Sequence, residues 1–505
     1  MFDAGSLLRA YARRRSRQLA AEDPASAQRT VLRRLVARNL ATPFGRRHRF
    51  DRIRNLEDYQ TAVPLRDYDA FWAEWWRPTF PHVGGITWAG SIPAFANSSG
   101  TTGGATKRIP VSRGMIRSNR RAALDVLVHH LANRPDTRVM AGQALILGGS
   151  TALERLAPGI RAGDLSGIMA AAVPWWARGR TFPPPELALI GDWGEKMRRI
   201  AGESLERRIT SLSGTPSWMV LFFEQVAEQR GPGARLVNCY PELELVIHGG
   251  VGFAPYRDRF AHWLAGSGAE TREVFPASEG FFAIADRRDG EGMRLVLDHG
   301  IFYEFVRPAD LGAPLPDRRW IATAETGVEY ALIVTTNAGL WSYVLGDTVT
   351  LVDRHPPRLL VTGRTSWSLS VVGEHLIGAE LDAGVAAAAS RERVTVADYV
   401  AGPVPPDAHD QRAGHLFLVE LGANETADPA LFAATLDGKL RELNEDYAAH
   451  RQGDVGMRPP SVHFARAGAF ADWMRSRGKL GGQNKVPRVM TDAAALNALL
   501  DAVSR

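Results

Sequence analysis

Short apolar runs alternate with longer segments of mixed polarity through residues 1–365. Four such runs stand at 144–149, 244–250, 329–336 and 358–364. The first two, ALILGG and ELVIHGG, end in glycine pairs, as buried parallel strands do, and the other two receive the same assignment. The segments 113–133 and 192–209 have the composition of helices that cover such strands. The alternation predicts an α/β fold in which helices cover the β-sheets.

The chain changes character after residue 365. Two strand-like runs, VTVADYVAG and HLFLVEL, are separated by a polar stretch at 402–414, and a helix follows with Asp428 as its N-cap and Pro429 at its first position. One face of this helix is apolar and carries Leu436, Leu440, Leu443 and Tyr447. The 505 residues exceed the ~250–300 at which one hydrophobic core stops growing. We therefore predict a large N-terminal domain at 1–365 and a small α+β domain at 366–505.

Residues 98–107, SSGTTGGATK, form a run of Ser, Thr, Gly and Ala that closes with Lys107. Glycines let the backbone turn tightly, so that N–H groups and hydroxyls converge on one anion. Lys107 adds a positive charge, and the strand-like IPV that follows is not expected of a flexible linker. The run is not a Walker A loop, because Arg108 follows the lysine, and it contains no GxGxxG. We predict that it binds a polyphosphate.

The composition excludes several classes of protein. A net charge of +6 suits a small anionic substrate and does not require nucleic acid. Cys239 is the only cysteine, so a disulfide framework within the chain is excluded and a reducing cytoplasm is the expected compartment. Residues 1–24 lack the apolar core of a secretory signal and are expected to form an amphipathic surface helix. No stretch reaches the ~18 apolar residues of a membrane span, so we expect no membrane association, and we expect a monomer.

Hydrolase and zinc chemistry find no support in the sequence. HGGVG at 248–252 is similar to an esterase oxyanion loop, but no GxSxG nucleophile elbow occurs. Neither HExxH nor paired CxxC is present. We assign His129 and His130 to a helix face and His248 to the core.

Several motifs occur in the order typical of one family. RTVLRRLVARNLATPFGRRHRF, AVPLRDYDAF and SSGTTGGATKRIPV resemble the GH3 family of acyl-acid amido synthetases, in a bacterial-type member, and the third motif is similar to the phosphate loop of adenylate-forming enzymes. The resemblance continues at 211–225, 275–283, 303–308, 335–347, 363–375 and 481–489. It implies that 1–365 is an adenylation domain that binds the nucleotide and the acyl acid, and that 366–505 is a lid.

The resemblance also implies roles for individual residues. The nucleotide would be bound by Ser98, Ser99, Gly100, Thr101, Thr102, Gly103 and Ser278. Glu279 would bind the nucleotide and hold Mg²⁺, for which one protein carboxylate is enough because the metal keeps waters and phosphate ligands. Asp347 would accept hydrogen bonds from the ribose hydroxyls, with Arg364 near the same ribose or phosphate. Lys107 and Lys485 would be catalytic, and Lys485 would reach the substrate carboxylate and the α-phosphate from the C-terminal domain.

Three positions depart from the family pattern. WSYVL at 341–345 stands before Gly346-Asp347, where the family has a Tyr-Arg-Tyr-Arg run, so any role of those arginines is absent. Phe275 replaces a tyrosine, and Asn484 replaces the tyrosine before Lys485. The substrate acid and its acceptor therefore stay open.

The resemblance implies an ATP-dependent ligase. A small carboxylic acid would attack the α-phosphate to give an acyl-adenylate and pyrophosphate, and an amine, expected to be an amino acid, would then displace AMP. Loop amides, Mg²⁺ and lysines would stabilise the charge on the phosphate oxygens. Two alternatives are an acyl-CoA ligase that uses the same first step and a nucleotide-binding regulatory protein with decayed catalysis. Retention of Lys107, Glu279, Asp347 and Lys485 argues against decay.

Overall fold

The structure is a computed structural model of the chain. It describes residues 5–98, 106–148, 151–173, 179–190, 193–231, 233–250, 253, 256–288, 290–365, 369, 376–404, 412–444, 447–448, 451, 457–477, 486–490 and 492–503. The chain divides into two compact units. The larger contains Met1–Thr215, Phe222–Gly250 and Gly266–Leu360, and the smaller contains Pro216–Leu221, Val251–Ala265 and Val361–Arg505.

Helices occur throughout both units. Their bounds are Gly5–Ala20, Pro24–Arg38, Pro43–Arg47, Leu56–Ala62, Tyr68–Phe71, Arg113–Asn133, Leu165–Ala171, Pro185–Ala188, Trp193–Ser204, Pro216–Arg230, Leu236–Cys239, Arg257–Leu264, Gly378–Glu392, Pro429–Leu443, Ala469–Ser476 and Ala493–Val503. In the described ranges, none of these combines the length and apolar character needed to cross a bilayer.

Local capping signals set several helix starts. Ser112 Oγ accepts a hydrogen bond from Met115 N at 3.0 Å, which begins the helix predicted at 113–133. Asp428 accepts from Ala430 N at 2.8 Å, with Pro429 at the first position, as predicted. Leu436 and Leu440 of its predicted apolar face are buried, whereas Leu443 is 40% exposed. Tyr447 is buried but lies beyond the end of the helix at Leu443, so the helix was predicted one turn too long.

The strands are β1 (Ala94–Ser98), β2 (Lys107–Val111), β3 (Gln143–Ile146), β4 (Glu154–Ala157), β5 (Ile160–Gly163), β6 (Thr181–Phe182), β7 (Ile209–Gly214), β8 (Leu245–Gly249), β9 (Glu270–Ala277), β10 (Gly280–Ile284), β11 (Met293–Leu295), β12 (Ile301–Val306), β13 (Arg319–Trp320), β14 (Glu329–Thr336), β15 (Tyr343–Arg354), β16 (Pro357–Arg364), β17 (Val396–Val404), β18 (Gly414–Leu421) and β19 (Ser461–Ala465). The segment 192–209, predicted as one helix, contains a helix that ends at Ser204 and the first residue of β7.

The largest sheet has the order β13-β12-β14-β15-β16-β11-β10-β9-β8-β7-β3-β6. Strands β6, β3, β7, β8 and β9 are parallel to one another. The assignment of 329–336 and 358–364 to parallel strands was wrong, because β14 pairs antiparallel with β12 and β15, and β16 pairs antiparallel with β11. Only six residues connect β14 to β15, too few for the crossover that parallel strands need.

Two smaller sheets complete the fold. The order β2-β1-β5-β4 forms a four-stranded sheet, in which β1 and β5 are parallel. Strands β17, β18 and β19 form a sheet in the smaller unit, and its core includes Leu436 and Leu440 from the helix at 429–443. The predicted α/β class and the α+β character of the C-terminal part are confirmed. The functional roles assigned to 1–365 and 366–505 stay predictions.

Candidate functional site

The carboxyl ends of the parallel strands meet at one edge of the large sheet, where open α/β sheets place their ligands. At this edge β9 turns into β10 through Ser278 and Glu279. Ser278 Oγ donates to Asn97 O at 3.5 Å, and Asn97 precedes Ser98 at the end of β1. The structure therefore brings together two predicted segments, the start of the glycine loop and the Ser278–Glu279 turn.

Glu279 is a buried carboxylate, with 7% of the residue exposed. Tyr343, the first residue of β15, donates its hydroxyl to Glu279 Oε1 at 3.3 Å. Burial, and then the Glu279 carboxylate, raise the pKa of the Tyr343 hydroxyl, so Tyr343 keeps its proton as a donor. Tyr343 was missed as a site residue, and its position in the run that departs from the family pattern was the available signal.

Asp347 lies in an irregular part of β15. Ala331 pairs with Thr348 and Ile333 pairs with Val344, so Leu345, Gly346 and Asp347 stand opposite the single residue Leu332 of β14. Gly346 has φ of 91°, which glycine adopts without strain. Bulges of this kind redirect a side chain and occur next to active sites. Asp347 is 8% exposed. The Gly346-Asp347 pair singled out in the sequence therefore lies in a bulge with a buried carboxylate.

Lys107 begins β2 and pairs across the strands with Ser98. Its Nζ lies 5.6 Å from the centroid of the Tyr68 ring. Tyr68 Oη accepts a hydrogen bond from Arg108 N at 2.9 Å, and Asp67 caps the short helix that Tyr68 begins. The AVPLRDYDAF motif therefore supplies a tyrosine that contacts the first two residues of β2. Tyr68 was within the quoted motif but was not named as a site residue.

The backbone of Arg66 is hydrogen-bonded to the start of β15. Arg66 N donates to Ser342 O at 3.1 Å, and Val344 N donates to Arg66 O at 2.8 Å. Ser342 has φ of 45°, and its hydroxyl accepts from Arg318 Nη2 at 2.6 Å. The same guanidinium is paired with the fully buried Glu304 at 2.9 Å. Buried hydrogen bonds thus hold a left-handed serine where the family pattern has an arginine.

The remaining predicted site residues are Arg364, five residues of the glycine loop and Lys485. Arg364 ends β16 and belongs to the smaller unit. Ser99, Gly100, Thr101, Thr102, Gly103 and Lys485 lie outside the described residues. The segment that follows Lys485 is described: Ala401 N donates to Arg488 O and Met490 N donates to Ala401 O, both at 2.8 Å, which adds this segment to β17.

The carboxylates at the edge suit one hard cation at most. Within the described ranges, no group of three or more His, Cys, Asp or Glu side chains has the arrangement of a metal centre. Mg²⁺ takes oxygen ligands and is held by one or two carboxylates together with substrate phosphates. Glu279, buried beside the start of the glycine loop, fits that requirement.

Models of three GH3 family domains match the chain. The N-terminal domain matches residues 13–152, the central domain 294–364 and the C-terminal domain 379–494. Together these ranges include more than half of the chain.

Named relatives and a solved structure are similar to the chain. An indole-3-acetic acid-amido synthetase, GH3.8 of Oryza sativa subsp. indica, is 28% identical over 38% of this chain and 33% of its own length. A probable indole-3-acetic acid-amido synthetase, GH3.9 of Oryza sativa subsp. japonica, is 29% identical over 62% of this chain and 75% of its own length. The chain thus spans only a third of the length of the first relative. The solved structure of the AtGH3.15 acyl acid amido synthetase with 2,4-DB shares the fold, with a TM-score of 0.79 and 16% identity over 100% of this chain and 97% of that one.

Proposed function

This chain belongs to the GH3 family, and from that premise we propose that it is an ATP-dependent ligase that joins a small carboxylic acid to an amine, specifically an amino acid. The reaction proceeds through an acyl-adenylate and yields pyrophosphate and AMP. One observation carries the proposal: Ser98, Lys107, Ser278 and Glu279 come together at the edge where parallel strands end, from segments far apart in sequence.

The nucleotide site is proposed from this edge. Residues 98–103 and Ser278 bind the phosphates, and Lys107 adds a cation at the closing end of the loop. Donors that are fixed before the reaction stabilise the charge that builds on the phosphate oxygens, which is usually the largest contribution to catalysis. Asp347 binds the ribose hydroxyls, and the β15 bulge holds its backbone in place.

Mg²⁺ neutralises phosphate charge when it is bound. Glu279 is the carboxylate proposed to hold it, and the Tyr343 hydroxyl orients that carboxylate. Since Tyr343 stays protonated, it donates to Glu279 across the neutral pH range.

The smaller unit is proposed to carry the second half of the machinery. Lys485 supplies an ammonium for the reacting carboxylate and α-phosphate, and Arg364 contacts the ribose or phosphate. Residues 366–505 would then act as a lid over the adenylation domain at 1–365. We further propose that the enzyme works as a cytoplasmic monomer without nucleic acid or membrane partners.

Pyrophosphate release across a panel of carboxylic acids tests the proposal. Each acid is assayed with ATP and Mg²⁺ alone, with a mixture of amino acids, and with CoA. We expect acid-dependent release that rises when amino acids are present. A rise with CoA alone would identify an acyl-CoA ligase, and ATP binding without release for any acid would identify a nucleotide-binding regulatory protein.

A further inference from the structure

Among the described residues, four side-chain oxygens near the ends of neighbouring strands have no hydrogen-bond partner. They are Asn97 Oδ1, Thr151 Oγ1, Ser166 Oγ and Thr215 Oγ1, each shielded from solvent and without a hydrogen-bond partner in the part of the chain that the structure describes. Buried polar groups are almost always hydrogen-bonded, because leaving one unpaired costs its full desolvation. Four such atoms in one region therefore need an explanation.

Two of these residues follow the paired ends of β1 and β5. Ala96 of β1 pairs with Gly163 of β5, so Asn97 and Asp164 are the next residues along the two parallel strands. Ser166 lies two residues beyond Asp164, in the first turn of the helix at 165–171. Asn97 also accepts at its backbone oxygen from Ser278, which places it beside the proposed nucleotide site.

Short distances and the strand register place Thr151 and Thr215 near Asn97 and Ser166. A Cβ at Gly148, just after β3, would lie 3.4 Å from Ser166 Oγ. Ile146 of β3 pairs with Ser213 of β7, so Thr215 follows β7 at the same level of the sheet. A Cβ at Gly163 would lie 2.7 Å from the backbone oxygen of Ala152, the residue after Thr151. The four oxygens therefore border the strand ends around Gly148 and Gly163.

Two buried charged residues border the same region. Lys196 and Asp164 are both buried, and Asp164 is the charged group that acts on the Lys196 ammonium. Lys196 is 4% exposed, and this burial lowers the pKa of its ammonium. Covering these oxygens and charged groups with a hydrocarbon would remove their hydration without supplying hydrogen bonds. The region is therefore unfavourable for a purely hydrocarbon ligand.

We propose that this region binds the acyl part of the substrate acid, and that the acid carries at least one hydroxyl group besides its carboxylate. The inference rests on the proposed function, since it assigns the substrate class of that same active site. An acid with a plain hydrocarbon body offers these oxygens no hydrogen bond, whereas a substrate hydroxyl donates to Asn97 Oδ1 or exchanges hydrogen bonds with the Thr and Ser hydroxyls. Sites that hydrogen-bond a substrate hydroxyl reject the analogue without it far more strongly than apolar pockets discriminate by size.

Matched pairs of acids test the proposal. Butanoate is compared with 3-hydroxybutanoate, and benzoate with each hydroxybenzoate, by kcat/KM for pyrophosphate release. We expect at least one hydroxylated acid to exceed its partner by about tenfold or more. Three variants, Thr151→Val, Ser166→Ala and Thr215→Val, should each lower kcat/KM for that acid. Each should therefore reduce the ratio of kcat/KM between the hydroxylated acid and its unhydroxylated partner. Thr61→Val, whose hydroxyl bonds Glu57 O on an exposed helix, is the control and should leave the ratio unchanged.

Three outcomes would count against the idea. Equal rates for both members of every pair, with turnover present, would overturn the inference alone and leave the proposed function intact, because water then satisfies the oxygens. A preference that survives all three variants would also overturn it, since the hydroxyl would be recognised elsewhere. If no acid of these pairs or of the wider panel supported pyrophosphate release, both proposals would be overturned.

Discussion

Arg488 lies three residues after Lys485, the proposed catalytic lysine, and several contacts hold its side chain in place. Its guanidinium pairs with Asp398, lies 3.6 Å from Asp382 Oδ1 and stacks 4.5 Å over the Tyr399 ring. Only 13% of its side chain is exposed. The backbone of the same residue is hydrogen-bonded to β17. Arg488 therefore anchors the end of the segment that contains Lys485.

Arg488→Met keeps the length of the side chain and removes its charge. Two carboxylates, Asp382 and Asp398, then lose their cation in a region with little solvent, and breaking a buried pair in this way costs ~3–5 kcal/mol. Burial already raises the pKa of Asp382, so this group takes up a proton readily and relieves part of the cost. We therefore expect the lower end, ~3 kcal/mol, which is about a hundredfold in an opening equilibrium.

Amide hydrogen exchange measures that opening locally. The amides of Ala401 and Met490, which bond across the added strand, should exchange about a hundredfold faster in the variant. The control is Arg466→Met, whose partner Asp472 forms an exposed pair with side chains 55% and 43% exposed and should contribute under ~1 kcal/mol. We also expect single-turnover adenylation to slow while ATP affinity is kept. Exchange at Ala401 as slow as in the parent would refute the reasoning that Arg488 anchors this segment.

The remaining predictions concern the proposed site residues. Glu279→Gln should require more Mg²⁺ for the same adenylation rate because the proposed metal site loses a carboxylate charge, and a magnesium dependence equal to the parent's would assign Glu279 to structure. Tyr343→Phe should shift the same magnesium curve in the same direction by less, as it removes only the orienting donor. Asp347→Ala should weaken ATP binding by the ~1.5–3 kcal/mol of hydrogen bonds to a charged acceptor, and unchanged affinity in titration calorimetry would remove Asp347 from the site. Lys485→Ala should bind ATP nearly as well as the parent but form acyl-adenylate about 10²–10³ times more slowly, and adenylation at the parental rate would make it a surface residue.

Much of the local structure could be predicted from the sequence. The helix at 113–133 and the start of the helix at 429 were predicted at their observed positions, because Ser112 and Asp428 cap them through contacts within a few residues. β3, β8 and β14 could also be predicted, because a short apolar run is a local pattern typical of a buried strand. The order of the motifs was enough to identify the family, although the roles of individual residues still await experiment.

Strand pairing and the composition of the site depended on the tertiary structure. The apolar run of β14 is compatible with parallel or antiparallel neighbours, and the choice is made by β12 and β15, which no local pattern records. Tyr343 reaches Glu279 across 64 positions of the sequence, so neither residue indicates the other before folding. The hydroxyls of Thr151, Ser166 and Thr215, which lack partners among the described residues, acquire significance only through burial, since a threonine or serine is ordinarily solvated. Burial and long-range proximity arise when separate segments pack together, and for that reason the proposed substrate region could not be predicted from the sequence alone.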